Sequence, residues 1–228
     1  AINRNPSVGL IYSDEDKMEL NGTRCDPVFK SDYSPNYLLS TNYFCHLTAI
    51  KKELVDKVGG FRKGYEGSQD YDLFLRVVEQ LDNKNIVHIP DVLYSWRKIP
   101  GSTALTYDQK GYAQKASIKA LKDTICRRDI DGEITNGLQG GFFKIKYNLK
   151  ERPLVSIIIT NAEKNYLLGK NIDRILNNTD YKNYEIIIIS SDKKSIQFAK
   201  EDNIHFYHFQ EYNKLEMRNL GAKKSNGQ

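Results

Sequence analysis

Leu154-Val155-Ser156-Ile157-Ile158-Ile159 opens the part of the sequence whose pattern decides the fold. It is a short apolar run with no polar alternation, the pattern of a strand covered on both faces. Tyr184–Ile189 reads as a second strand and Ile204–Phe209 as a third, and Tyr166–Leu176, Lys194–Lys200 and Lys214–Lys224 read as the helices between and after. A βαβαβα run of this kind implies parallel strands joined by right-handed crossovers, with a nucleotide-type pocket at the strand ends. It contains neither a glycine-rich dinucleotide fingerprint nor a P-loop lysine motif. Side chains and strand-end backbone must therefore hold any nucleotide bound there.

Outward from this region, residues 129–152 carry Asp131-Gly132, Asn136-Gly137 and Gly140-Gly141, then a short Phe142–Tyr147 run and Arg152-Pro153. These turn signals read as a connector with a small hairpin, and hence as a domain boundary between 1–128 and 153–228. Ahead of it, residues 1–7 read as a helix end stopped at Asn5-Pro6. Val8–Tyr12 follows as a buried strand that runs into Ser13-Asp14-Glu15-Asp16-Lys17. Carboxylates at a strand's C-terminal end lie where α/β ligands gather, so Asp14 and Asp16 are candidate cation or substrate residues; a solvated acidic turn before Asn21-Gly22 is the alternative.

Ser34-Pro35 reads as an N-cap with proline at the first helical position, and Lys51–Val58 as a short helix closed by Gly59-Gly60. Tyr43–Ile50 reads as a strand carrying His46, a packed or hydrogen-bonding residue or a ligand.

Gly59-Gly60-Phe61-Arg62-Lys63-Gly64-Tyr65-Glu66-Gly67-Ser68-Gln69-Asp70-Tyr71-Asp72-Leu73 then passes from a glycine-rich charged loop into an amphipathic helix with Ser68 as N-cap. From Asp70, the residues Leu73, Phe74, Val77 and Leu81 follow at helical spacing. This sets Asp70 at the head of the inward stripe and Asp72 off it. Asp70 in that position either complements the helix dipole or serves as a general base. Beyond it, Ile86–Ile89 and Val92–Trp96 read as extended and broken at Pro90. Trp96-Arg97 with Pro100-Gly101 reads as a sugar platform with a diphosphate clamp, or as a core aromatic under a surface arginine. Tyr112–Ile125 marks a further helix ending at Arg127-Arg128.

Composition sets limits. A hydrophobic content of 39% with scattered charge is that of a globular chain, and no apolar run approaches the roughly 20 residues of a membrane span. The net charge of +5 is spread out, which argues against nucleic acid as a partner; such a surface is compatible with peripheral association with anionic headgroups. Cys25, Cys45 and Cys126 are an odd number without close pairing. They fit a reducing compartment and neither a disulfide framework nor a zinc motif.

Four segments, taken in order, resemble the GT-A-fold family-2 glycosyltransferases of bacterial polysaccharide (O-antigen and cell-wall) synthesis. They are Leu10–Lys17, Gly59–Leu73, Val92–Arg97 with Ser102-Thr103-Ala104, and Pro153–Ile159 with Tyr181–Ile188. The resemblance covers nearly the whole chain, with the halves reversed. An acceptor-type half (1–128) comes first, then the linker (129–152), and a Rossmann-like nucleotide-binding half (153–228) comes second. This order is expected of a segment cut from a tandem two-module enzyme.

The resemblance implies transfer of a sugar, with inversion, from a nucleotide-sugar donor to a glycan or lipid-linked acceptor. The setting it implies is cytoplasmic, at the inner face of the membrane. Asp70 matches the family's base, in a Gln69-Asp70 variant of the usual Glu-Asp pair. Asp14, Asp16, His46, Gln69, Trp96 and Arg97 are the substrate-side positions, and Thr160, Asn161, Ser190, Asp192 and Arg218 the nucleotide-side ones. Mg²⁺ or Mn²⁺ is expected for the intact enzyme, yet the Asp-X-Asp motif that holds it is not found here, so no metal ligand is assigned. Ser95 and Ser190 stand where the family carries histidine and an acidic residue. With those parts missing, a non-catalytic glycan- or nucleotide-binding pseudo-domain is the alternative.

Overall fold

The computed structural model describes residues 1–99, 111–162 and 165–227 and shows a mixed α/β chain in two compact units, Ala1–Asn148 and Leu149–Gln228. Pro100-Gly101 and Ser102-Thr103-Ala104 lie outside the described residues.

In the second unit three parallel strands, β7 (Val155–Asn161), β8 (Tyr184–Ser190) and β9 (Ile204–His208), pair in the order β7-β8-β9. The central strand shows why its sequence is apolar throughout. Ile186 and Ile188 face α5 (Asn165–Asn178), packing with Leu168 and Ile172. Ile187 and Ile189 face the other way, onto Met217 and Leu220 of α6 (Lys214–Lys224). With period-two alternation and cover on both faces, every second residue still needs to be apolar, and so does the rest. Gly221 lets α6 come close, since a Cβ there would sit 2.3 Å from Ile158 Cγ2. Lys193–Phe198 forms a 3₁₀ helix capped by Asp192, in place of the α-helix expected at Lys194–Lys200.

The first unit is built on β1 (Leu10–Met18). On one side β1 pairs in parallel with β4 (Ile86–Arg97); on the other it pairs antiparallel with β2 (Arg24–Val28) and β3 (Thr48–Ile50). Several expectations are corrected here. β1 does not stop at Tyr12: parallel pairing continues to Met18 opposite Arg97, so Asp14, Glu15 and Asp16 lie within a strand and not beyond its end. Pro90 does not break β4. The register passes from Ser13 opposite Ile89 to Asp14 opposite Val92, a bulge that absorbs the residue unable to donate to the ladder. Residues 43–47 are irregular, and only Thr48–Ile50 is strand. Residues 1–7 form turns and not a helix, with Asn5 Oδ1 accepting from Ser7 N at 3.2 Å.

Around this sheet stand α1 (Pro35–Leu38), α2 (Lys52–Lys57), α3 (Gln69–Val78) and α4 (Gly111–Arg127). Ser34 caps α1 as its spacing implies, its Oγ accepting from Tyr37 N. The hairpin β5 (Gly132–Asn136) and β6 (Phe143–Tyr147), inside the segment read as a linker, belongs to the first unit. The reason is Phe143, which is buried in the same core as Tyr12, Phe44, Tyr71, Leu75 and Leu121. Its apolar side chain gains more by joining that core than a free connector would gain from mobility.

α3 corrects the inward-face reading. Tyr71 through Val78 are all buried, because the helix is covered by the sheet core and by α4 together, and a single-stripe count does not apply. Asp72, not Asp70, is the enclosed carboxylate, at 1% exposure. Arg76 Nη2 lies 2.6 Å from its Oδ2 and also donates to Gly60 O at 2.7 Å, while Nη1 donates to Val58 O at 2.6 Å. Arg62 pairs with Asp72 and with Asp123 of α4, which also accepts from Tyr65 OH. Burial pushes the Asp72 carboxyl up, but the hydrogen bonds from Arg62 and Arg76 outweigh it and hold it below the ordinary range.

Asp72→Asn is expected to lower unfolding stability by about 3 kcal/mol. That is the low end of the cost of breaking a buried pair, because Arg62 is one-third exposed. Asp72's folded pKa lies below its unfolded value of about 3.9. Its contribution is therefore complete above that value and is lost as pH falls through the lower folded one. Denaturant melts of wild type and variant across the acid range should converge as pH drops. A stability gap that stays constant with pH would contradict the pairing.

Candidate functional site

One cleft of the first unit, about 290 Å³, gathers four of the residues marked in the sequence: His46, Gln69, Asp70 and Trp96. Asn42, Cys45 and Gly67 are also in its wall. The turn before α3 explains the aim of Asp70. Gly67 has φ +84, and a Cβ on it would lie 2.5 Å from Tyr112 Cε2 of α4, so only glycine brings the helix start this close. Gln69, exposed at the start of α3, accepts through Oε1 from Gly67 N at 2.8 Å. Ser68 does not cap α3 by its side chain; its Oγ lies 2.7 Å from Ser117 Oγ and ties the turn to α4 instead.

Asp70 is half-buried. Its Oδ1 accepts from Tyr71 N at 2.8 Å and its Oδ2 from Asn42 Nδ2 at 3.1 Å, so the carboxylate is oriented from both its own helix and the facing loop. The loop 42–47 is in turn anchored by Lys30, whose Nζ donates to Phe44 O at 2.8 Å and His46 O at 2.6 Å and lies 3.7 Å from Glu15 Oε2. Burial pushes the Lys30 ammonium down, with Glu15 the main charge acting against it. His46 Nδ1 stands 3.1 Å from Glu15 Oε2, and its ring stacks on Tyr94 with centroids 4.7 Å apart and planes at 17°. Trp96 is beside it at 4.9 Å.

The other sequence-marked residues are placed elsewhere. Asp14 is buried, accepting from Lys30 N at 2.8 Å, with His88 Nε2 at 2.7 Å. Asp16 is buried and paired with Arg24; a hydrogen bond with Ser95 leads the causes that hold its carboxyl low, ahead of Arg24. Arg97 is exposed at the end of β4. In the second unit Thr160 lies opposite Ile189 and Asn161 opposite Ser190, at the C-terminal end of the sheet. Ser190 is fully buried, taking part in contacts with Asn161 Nδ2 at 3.3 Å, Ser195 Oγ at 2.8 Å and Asp192 N at 3.1 Å. Asp192 caps the 3₁₀ helix through Lys194 N, and Arg218 stands on the exposed side of α6.

Sequence reasoning passed over Glu15, Lys30, Asn42, Cys45 and Tyr94. Glu15 had a signal, since in a strand its side chain points opposite to Asp14 and Asp16, toward the cleft side. Asn42 and Lys30 had none, because they reach the site only through the folding of a loop. As to a metal, Asp14 is engaged by Lys30 N and His88, and Asp16 by Arg24 through Oδ2. This leaves the buried Asp16 Oδ1 without a partner but not, with one oxygen, the hard-oxygen set that Mg²⁺ or Mn²⁺ takes. Among the described residues, the one group at ligand spacing is Glu15, Cys45 and His46. Also among them, no helix is long and apolar enough to cross a membrane.

No family model matches the sequence. The chain is 38% identical over 193 residues to an uncharacterized protein, y4gI, of Sinorhizobium fredii; the match covers 83% of this chain and 21% of that one. It is 32% identical over 187 residues to the O-antigen biosynthesis protein RfbC of Myxococcus xanthus, covering 82% of this chain and 14% of that one. The chain thus spans about a fifth or less of the length of these relatives.

Lys30→Met should loosen the loop that carries Asn42, Cys45 and His46, because two backbone carbonyls lose their donor at about 1–3 kcal/mol for buried groups left unsatisfied. Hydrogen exchange is expected to rise at residues 42–48 and to stay unchanged in β7–β9. Unchanged protection of 42–48 would refute the anchoring role.

Proposed function

We propose that the chain is part of a glycosyltransferase of cell-surface polysaccharide synthesis, with the first unit as the acceptor-side half of a GT-A-like module and Asp70 as its general base. The observation that carries this is the cleft itself. An oriented carboxylate at a helix N-terminus shares a wall with an indole, an imidazole and a carboxamide. The name of the Myxococcus xanthus relative supports the polysaccharide setting.

In this reading an acceptor hydroxyl lies against the Trp96 face, an apolar surface suited to a sugar ring, and donates its proton to Asp70. The new bond forms from that oxygen to the anomeric carbon as the bond to the nucleoside diphosphate breaks, on the opposite side, giving inversion. Asn42 fixes the carboxylate so that its remaining lone pairs meet the hydroxyl. The second unit, in the same reading, is the nucleotide-side half, with Thr160, Asn161, Ser190, Asp192 and Arg218 as its strand-end positions. Ser190 is bonded internally, to Asn161, Ser195 and Asp192 N. A nucleotide sugar and a glycan or lipid-linked acceptor are the proposed partners, at the cytoplasmic face of a membrane. The expected Mg²⁺ or Mn²⁺ finds no fitting set among the described residues, so the roles above belong to the side chains alone.

A second reading follows from that missing ligand set: the chain binds a glycan through the Trp96 cleft without transferring sugar. Transfer from UDP-, GDP- and TDP-sugars with Mg²⁺ or Mn²⁺, measured for the full-length parent enzyme and its Asp70→Asn variant, separates the two, since this segment alone is expected to be inactive. Loss of about 10²–10⁴-fold in the variant with its fold intact supports the base. Undiminished transfer removes Asp70 from the chemistry. Metal-independent glycan binding by calorimetry, without transfer, favours the second reading.

A further inference from the structure

We propose that Glu15, Cys45 and His46 form a binding site for one thiophilic divalent cation of the Zn²⁺ type, built into the wall of the Asp70 cleft. Their ligand atoms, one carboxylate oxygen, one thiol sulfur and one ring nitrogen, all lie within 4.8 Å of one another. At zinc bond lengths, tetrahedral ligands stand roughly 3.3–3.8 Å apart. The His46 Nδ1 to Glu15 Oε2 separation of 3.1 Å is already in that neighbourhood. Bringing Cys45 in takes at most about an ångström, which rotation of a cysteine side chain provides.

The donor set chooses the metal. Sulfur and imidazole beside one carboxylate suit Zn²⁺ and disfavour Mg²⁺ or Mn²⁺, which take oxygen. Three protein ligands leave a fourth position open, and Cys45 and His46 both line the cleft. An independent observation points to a missing ligand in the same place. Asn42 Oδ1 is buried without a hydrogen-bond partner, and Asn42 lines that cleft. A metal-bound water is a donor of the kind it lacks. The surroundings of the ligands are those of a held site: Tyr94 stacks on the imidazole, and His46 N donates to Glu15 Oε2 at 3.2 Å.

Without metal, the Cys45 thiol holds its proton in a hydrogen bond, Sγ donating to Asn42 O at 2.8 Å. Binding therefore replaces the thiol proton with the cation: the S–H bond breaks, a sulfur–metal bond forms, and one proton leaves per ion. The two positive charges of the ion offset the thiolate and the nearby Asp70 carboxylate, while Lys30 already faces Glu15. None of this depends on sugar transfer.

The test uses the purified chain, titrated with Co²⁺ and Zn²⁺. One Co²⁺ per chain should produce visible bands of a tetrahedral ion and a thiolate-to-cobalt charge-transfer band, both removed by Zn²⁺ and not by excess Mg²⁺. Cys45→Ser should abolish the charge-transfer band, and Cys25→Ser and Cys126→Ser should leave it. His46→Ala should weaken Zn²⁺ binding roughly tenfold or more while the sulfur band persists at saturation. Circular dichroism checks each fold, and if Cys45→Ser unfolds, the His46→Ala affinity decides. A sulfur band that survives in folded Cys45→Ser, unchanged affinity in His46→Ala, or no 1:1 binding at all overturns the site.

Discussion

The enclosed carboxylate of Asp72 is the constraint on which the first unit's geometry rests. A charge taken out of water must be met by fixed donors, and Asp72 meets two guanidinium groups that each reach a second element. Arg76 carries the contact on to the carbonyls of Val58 and Gly60, and Arg62 carries it to Asp123 on α4. The glycine-rich loop, α3 and α4 are thereby locked to one centre. The start of α3, two residues earlier in sequence, is held where Asp70 opens into the cleft. A residue with no part in the cleft thus decides where the cleft's carboxylate sits.

The same requirement governs β1, a strand that carries Asp14, Glu15 and Asp16 in its interior. Each has a different answer: a backbone amide and His88 for Asp14, Lys30 with the His46 ring for Glu15, Arg24 for Asp16. The alternation of a strand sends Glu15 to the side of the 42–47 loop and its neighbours to the other. One strand therefore supplies both internal bracing and the acidic member of the cleft wall. Lys30 joins the two roles, since its amide serves Asp14 and its ammonium pins the loop that presents Asn42 and His46.

Much of the second unit was legible in the residues. β8 is a run of isoleucine buried on both faces, β7 carries a similar run, and such runs have few other stable arrangements. The start of α1 and the stop after α2 were legible for a similar reason: proline, glycine and a serine hydroxyl act within a few residues of themselves. Gathering His46, Gln69, Asp70 and Trp96 as candidates was also within reach, because each stood out by chemistry in its own segment. Asp14 and Asp16 stood out equally, and the structure sets them apart by burying them with partners.

What the sequence by itself determined is therefore what local rules and periodicity control: the α/β class, the parallel order of the second unit, the capped start of α1 and four of the side chains of the cleft. Tertiary structure alone decided which of Asp70 and Asp72 is enclosed, that Phe143 draws the hairpin β5–β6 into the first core, and that Cys45 and His46 come to face Glu15. The physical reason is common to all three. Burial of a side chain and the partners of a charge are set by elements distant in sequence. α4 covering the second face of α3 turned an amphipathic helix into an enclosed one, and no count along the helix contains that neighbour.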